Sequence, residues 1–211
     1  MYLYRLVYFY SYLCCMTKAD KTKQFIIEKT APVFNRKGYA GTSISDLTGV
    51  TGLTKGSIYG NFESKDDVAL AAFDYNFSRV TQLVADKVGR YHHSVDKLKA
   101  YVAVYAALPA DPVLQYGCPV LNTAVEADDT HPALKEKARK AINGWKRALV
   151  TLVKEGQERK EIKKSASATA FALSFIALIE GGVMLWKLTG NEEALAAALK
   201  TAKRLIKDLE K

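Results

Sequence analysis

Residues 42–65 read TSISDLTGVTGLTKGSIYGNFESK. Ser43 followed three residues on by Asp46 is a capping box: the hydroxyl accepts from the third N–H and the carboxylate reaches back. A short helix is expected from Ser43 to the Gly49–Gly52 region, with Ile44, Leu47 and Val50 on one side. Thr54 is an N-cap for a second short helix. In that helix Ile58 and Phe62, at i and i+4, turn toward the core with Leu53 at the turn. Lys55, Gly56, Ser57, Tyr59, Gly60 and Asn61 are left facing out. Exposed glycines contribute nothing to helix stability, whereas close approach of another macromolecule accounts for them. Two short helices joined by a tight glycine turn, the second with a polar outer face, form a helix-turn-helix. An ordinary helical hairpin is the alternative at this level.

The flanks extend the pattern. Upstream, Ile26, Ile27, Thr30, Ala31 and Phe34 form one apolar stripe and predict a helix from about Thr22 to Lys37. Arg36, Lys37 and Gly38 suit its C-terminus and a left-handed cap, Tyr39 is expected in the core, and Pro32 is expected to kink the axis. Downstream, Ser64 and Asp67 make another capping box, opening a helix through Val68, Leu70, Ala71, Phe73 and Phe77. Lys65 sits in its first turn, where the dipole disfavours a cation unless a phosphate docks nearby.

Composition agrees with a helical, nucleic-acid-binding reading without deciding it. The 211 residues are 49% hydrophobic and 25% charged, which fits a globular chain and excludes wholesale disorder and collagen. The net charge of +9 suggests a polyanionic partner. Residues 16–67 carry eight bases and six acids and residues 68–211 carry twenty-two and sixteen, so the excess is spread and the DNA claim rests on the motif. Cys14, Cys15 and Cys118 are odd in number with no metal-ligand spacing, so neither a disulfide framework nor a metal site is expected.

The segments Gly38-Tyr39, Thr42-Ser43-Ile44, Asp46-Leu47, Gly52 to Tyr59, Phe62 and Ser64-Lys65 together closely resemble the N-terminal domain of the TetR/AcrR family of bacterial transcriptional regulators. The likeness covers about fifty contiguous residues in order and spacing. It implies an all-α protein with a three-helix DNA-binding head and a larger body that dimerises and often holds a small ligand. By the same resemblance Thr42 and Ser43 touch phosphate, Thr54, Lys55, Gly56 and Ser57 enter the major groove, and Tyr59 and Lys65 bind the backbone. Gly60 and Asn61 stand where the family often has His or Tyr, and Thr48, Gly49, Val50 and Thr51 replace the usual alanine-rich stretch. The side-chain chemistry agrees. Lys55, Tyr59 and Lys65 can donate to phosphates, and Lys55, Ser57 and Asn61 can reach base edges, Asn being suited to adenine.

Residues 64–211 are expected to form the body, after a head at 16–63. Helices are expected at roughly 64–90, 94–108, 112–127, 131–159, 165–188 and 192–209. Tyr116 to Thr123 places a Gly-Cys-Pro step in an apolar run, which suits either a ligand cavity or a helix start with Cys118 buried as a small hydrophobe. Phe73, Phe77, Tyr101, Tyr105, Cys118, Asn122, Trp145 and Phe175 are the candidate ligand-binding residues. Glu126 to His131 holds metal-ligand types, but Asp129 or Thr130 as a helix cap is the preferred reading. Residues 168–186 are nearly all apolar around Glu180. A membrane span is the alternative to a buried helix, and a carboxylate is costly in lipid. Leu195, Leu199, Ala202, Ile206 and Leu209 make a heptad-like stripe. Two such C-terminal helices can pair with their symmetry mates, so Phe171, Phe175, Leu178, Leu195, Leu199 and Ile206 are the candidate dimer-interface residues.

The expectation is therefore a cytoplasmic, homodimeric, ligand-responsive repressor of a palindromic operator, with DNA, itself and a small-molecule effector as partners and no cofactor. An enzyme is not expected: the chain lacks a GxSxG elbow, an HExxH pair and carboxylates at a recognisable spacing. Residues 1–15, MYLYRLVYFYSYLCC, fit neither a signal peptide nor a span. They are expected to be a mis-assigned or disordered upstream extension before a start at Met16, with a membrane-attached tail as the alternative.

Overall fold

Each helix begins where the chain supplies an acceptor for the first free N–H groups. A computed structural model describes residues 17–112 and 115–211, so the expectation for residues 1–15 lies outside the described residues. Thr17 and Asp20 form a capping box that opens α1 (Lys18–Lys37) one turn earlier than the apolar stripe suggested. Helix α1 continues across Pro32. It ends at Gly38 with φ 72° and ψ 178°, a positive φ but not the left-handed helical cap expected from the sequence. Ser43 and Asp46 cap α2 (Ile44–Thr51), and Thr54 caps α3 (Lys55–Tyr59). Between them Gly52 adopts φ 68° and ψ 10° and donates its N–H to Thr48 O. That conformation makes the turn tight and is strained for any residue with a Cβ.

Ser64 accepts from Asp67 N–H at the start of α4 (Lys65–Val88). The chain divides into two units inside this helix, between Tyr75 and Asn76, rather than at residue 63. The head core contains Ile26, Ala31, Phe34, Leu47, Ile58, Phe62, Val68, Ala69 and Ala72, so the first turns of α4 belong to the head. Tyr39, Ile44 and Leu53 pack against it as expected. Val50 does not: it is 42% exposed, because Thr51, four residues after Leu47, takes the inward position in the last turn of α2.

The second unit contains α5 (Ser94–Ala106), α6 (Pro119–Ala127), α7 (Pro132–Glu158), α8 (Ala168–Thr189) and α9 (Glu192–Leu209). Helix α6 is shorter than the 112–127 stretch expected. Gly117 has φ 87°, and the helix starts at Pro119, whose missing N–H is harmless in a first turn. His131, not Asp129 or Thr130, caps α7: its Nδ1 accepts from Leu134 N–H at 3.3 Å.

Helix α8 is long and apolar enough to cross a membrane, yet Phe171, Phe175, Ile176, Ile179, Glu180 and Val183 are buried within the unit. The heptad-like stripe of α9 packs on it. Phe171, Phe175, Leu195, Leu199 and Ile206 are all buried inside the single subunit, and Leu178 is half-buried. Phe171, Phe175, Leu195, Leu199 and Ile206 thus use their apolar surface within the subunit, unlike the interface placement expected, while Leu178 keeps part of its surface exposed. The apolar side chains of α8 that reach solvent are Leu173, Met184, Leu185 and Leu188, the last 80% exposed.

The α8–α9 contact is close at Gly182, where a Cβ would come within 2.6 Å of Ala198 Cβ. Gly182→Leu is therefore expected to push the helices apart and cost about 2 kcal/mol, read as a lower urea midpoint. An unchanged midpoint would mean that the contact is slack.

Candidate nucleic-acid interface

Helix α3 has five residues, too few to be stable alone. It is held from behind and at both ends. Ile58 is fully buried and Phe62 nearly so. Thr54 Oγ1 accepts from Ser57 N–H at 3.1 Å, and Asn61 Nδ2 donates to Ser57 O at 2.9 Å. Asn61, expected to read a base, thus closes the helix C-terminus with its amide nitrogen and leaves Oδ1 as the group facing outward chemistry. Lys23 Nζ lies 5.0 Å from the Phe62 ring centroid, a buttress that the apolar pattern did not reveal.

The outer face carries the expected groups. Thr54, Lys55, Gly56 and Gly60 are exposed, and Ser57, Tyr59 and Asn61 are half-buried. Lys55 Nζ stands 5.8 Å from the Tyr59 ring centroid, so the ammonium and the phenol share one patch. A Cβ on Gly56 would meet only Thr54 Oγ1, at 3.9 Å. Nothing inside the subunit requires glycine there, which leaves the space for an external surface.

Other expected contacts behave differently. Thr42 is 1% exposed, and its hydroxyl donates to Gly38 O at 2.6 Å, so the side chain fixes the turn and does not face out. Ser43 is exposed at the start of α2, with its hydroxyl bonded to Asp46. Lys37 Nζ lies 2.5 Å from Asp46, and this contact with the Ser43 bonds holds the Asp46 carboxyl well below the usual carboxylate range. Lys65 Nζ donates to Tyr39 O at 2.9 Å and Thr42 O at 3.0 Å, and lies 4.0 Å from the Tyr39 ring centroid. Two of its three N–H donors therefore tie α4 to the turn, and one remains for an anion. The Tyr39 hydroxyl donates to Asp66, which pushes its titration up to about 12.

The second unit contains a partly open cavity of about 390 Å³. Of the candidate residues, Phe77, Tyr101, Tyr105, Cys118 and Trp145 line it. Phe73 lies on the head side of the division inside α4 and is not among the lining residues. Phe175 lies behind the wall, edge-on to Tyr101 with centroids 6.4 Å apart. Asn122 is not in the wall either: its Nδ2 donates to Tyr116 O at 2.9 Å. Sequence reasoning missed Val80, Thr81, Val84, Ala85 and Val88 of the lining. With Phe77 they form a stripe at helical spacing, a signal visible in the sequence. Tyr105 and Trp145 stack with centroids 5.6 Å apart and planes 9° apart. Burial pushes the Tyr105 phenol and the Cys118 thiol well up, and the nearby Glu180 adds to both.

Comparison with known proteins places these two units in one family. Residues 26–72 match the bacterial regulatory proteins of the tetR family, and residues 94–202 match the tetracyclin repressor-like C-terminal domain. A TetR-family regulator from Cytophaga hutchinsonii is 46% identical, with a TM-score of 0.86 over 92% of this chain and 98% of that one. A TetR regulator from Chloroflexus aurantiacus is 40% identical, with a TM-score of 0.88 and the same coverage of 92% and 98%. The HTH-type transcriptional repressor DhaR of Mycobacterium sp. is 25% identical over 82% of this chain and 86% of its own length. A matched head, a matched body and near-complete structural overlap leave one assignment: the chain belongs to the TetR family of bacterial transcriptional regulators.

Proposed function

We propose that this regulator is a ligand-responsive repressor that binds a near-palindromic operator as a cytoplasmic homodimer. The observation that carries the reading is the outward face of α3, where Lys55, Gly56, Ser57 and Tyr59 stand free of the core while Ile58 anchors them. In this reading each protomer places one α3 in the major groove of one half-site. Tyr59 and Lys55 hold phosphates, together with Ser43 and the remaining Lys65 donor, and fix the register. Thr54, Gly56 and Gly60 allow the backbone to approach, and Lys55, Ser57 and Asn61 Oδ1 read base edges.

The exposed apolar side of α8, with Leu173, Met184, Leu185 and Leu188, supports pairing of two copies. The cavity supports an effector. Helix α4 runs without interruption from the head into the cavity wall, so a ligand that favours one setting of α4 shifts the separation of the two heads away from the operator spacing.

Selection of bound sequences from a random DNA pool tests the reading: two inverted half-sites are expected. Lys55→Ala is expected to lower operator affinity by about 1 kcal/mol and to reduce the salt slope by about one. An unselective pool, or an unchanged slope, would remove α3 from the interface.

A further inference from the structure

Glu180 is 8% exposed in the middle of an apolar helix, and among the described residues no N–H or O–H donates to its carboxyl oxygens; the Cys118 thiol, a weak donor, lies against them. Its neighbours include the Cys118 thiol and Tyr105, both of which form part of the cavity wall. A buried carboxyl with no partner stronger than a thiol is costly to a fold, and packing alone is better served there by Leu or Met. The described residues lining the cavity include no Lys, Arg or His. They do include Tyr101, Tyr105 and Trp145, whose ring faces attract cations.

Resting on the effector reading of this cavity, we propose that it selects apolar amines, held as cations by the aromatic wall and by Glu180 acting as counter-charge behind Cys118 and Tyr105. The attraction between an ammonium in the pocket and the buried carboxylate acts without direct contact, through the low-dielectric wall between them. Burial pushes the Glu180 titration up to about 7, so at neutral pH a bound cation holds ionised a carboxyl that is otherwise partly neutral. A carboxylate ligand would meet Glu180 with like charge and find no base in the wall. Glu180 is thus a specificity-determining residue for the ligand's charge, a role distinct from lining the cavity.

The test is calorimetric titration of the full-length protein with three probes of one shape: 4-phenylbutylamine, 4-phenylbutanol and 4-phenylbutyrate. The amine is expected to bind about tenfold more tightly than the alcohol, and the acid most weakly. In Glu180→Gln the amine and alcohol are expected to converge. Glu180→Leu, better suited to an apolar site, serves if the amide variant does not fold. The proposal is overturned if the acid matches the amine, if the amine does not bind at millimolar concentration, or if the ranking survives in the variant. Operator release in the same solutions separates the two readings. An alcohol or acid that releases DNA with no preference for the amine sinks this inference and keeps the effector reading. An amine that binds without releasing DNA does the reverse.

Discussion

Ile58→Ala is expected to cost about 3 kcal/mol and to abolish tight operator binding. Ile58 is fully buried in a core shared with Leu47 and Phe62. Truncation removes its burial and leaves a cavity that the helices around it collapse into only partly. The loss falls on α3 first. Five residues cannot stay helical through their own hydrogen bonds, so the helix persists only while its apolar side is pinned. The end caps from Thr54 and Asn61 position it but supply about 1 kcal/mol each. With net domain stabilities of about 5–15 kcal/mol, the head of this variant should open measurably before the body. Amide hydrogen exchange across residues 44–62, alongside operator titration, reads both effects. Tyr59→Phe is the control, since it removes the hydroxyl proposed to hold a phosphate from a half-buried position and leaves the core intact. Wild-type exchange in the Ile58 variant would show that α3 is held by something other than its buried side.

The second large effect is a pH dependence that one residue creates. Glu180 titrates near 7 in the folded protein against an ordinary value of 4.5, because burial disfavours its charge. The folded state therefore binds this proton more tightly than the unfolded chain. Its contribution to stability is complete below about pH 4.5 and drains away as pH rises toward 7, with no further change above. The span corresponds to about 3 kcal/mol. Glu180→Leu is expected to remove that part of the slope and to gain most at alkaline pH, where the wild type keeps a charged group among apolar neighbours. Urea midpoints of both proteins across this window, compared as differences, isolate the residue from every other titrating group. Parallel curves would mean that Glu180 is solvated in the folded state. The same buried charge underlies the cation selectivity proposed for the cavity.

The head was legible in the sequence because its signals are local. Ser43 with Asp46, Thr54 three residues before Ser57, and Ile58 with Phe62 each lie within one turn or two, and each formed as read. Spacing of that kind fixes hydrogen-bond partners and the buried side regardless of what the rest of the chain does. The outward face followed by subtraction. Thr42 and Lys65 did not follow, because each is engaged by a carbonyl distant in sequence or across a turn: Gly38 O for the hydroxyl, Tyr39 O and Thr42 O for the ammonium. A polar residue near a helix start looks the same in a sequence whether it faces solvent or a neighbouring strand of backbone.

In the body, periodicity found the helices but could not say which neighbour each apolar stripe meets. Leu195, Leu199 and Ile206 have the spacing of a coiled-coil seam, and only tertiary packing showed that α8 of the same subunit fills it. The large apolar side chains of α8 that stay exposed form the weaker pattern of Leu173, Met184, Leu185 and Leu188. The cavity was half visible, as aromatic side chains without a shared address, until the fold brought α4, α5, α6 and α7 around one space. The sequence alone determined the helices, the turn at Gly52 and the short capped helix with its buried Ile58 and Phe62, since those depend on groups a few residues apart. The tertiary structure decided which apolar faces are core, where the cavity lies and that Glu180 stands beside it, since those depend on contacts between segments tens of residues apart that no local spacing encodes.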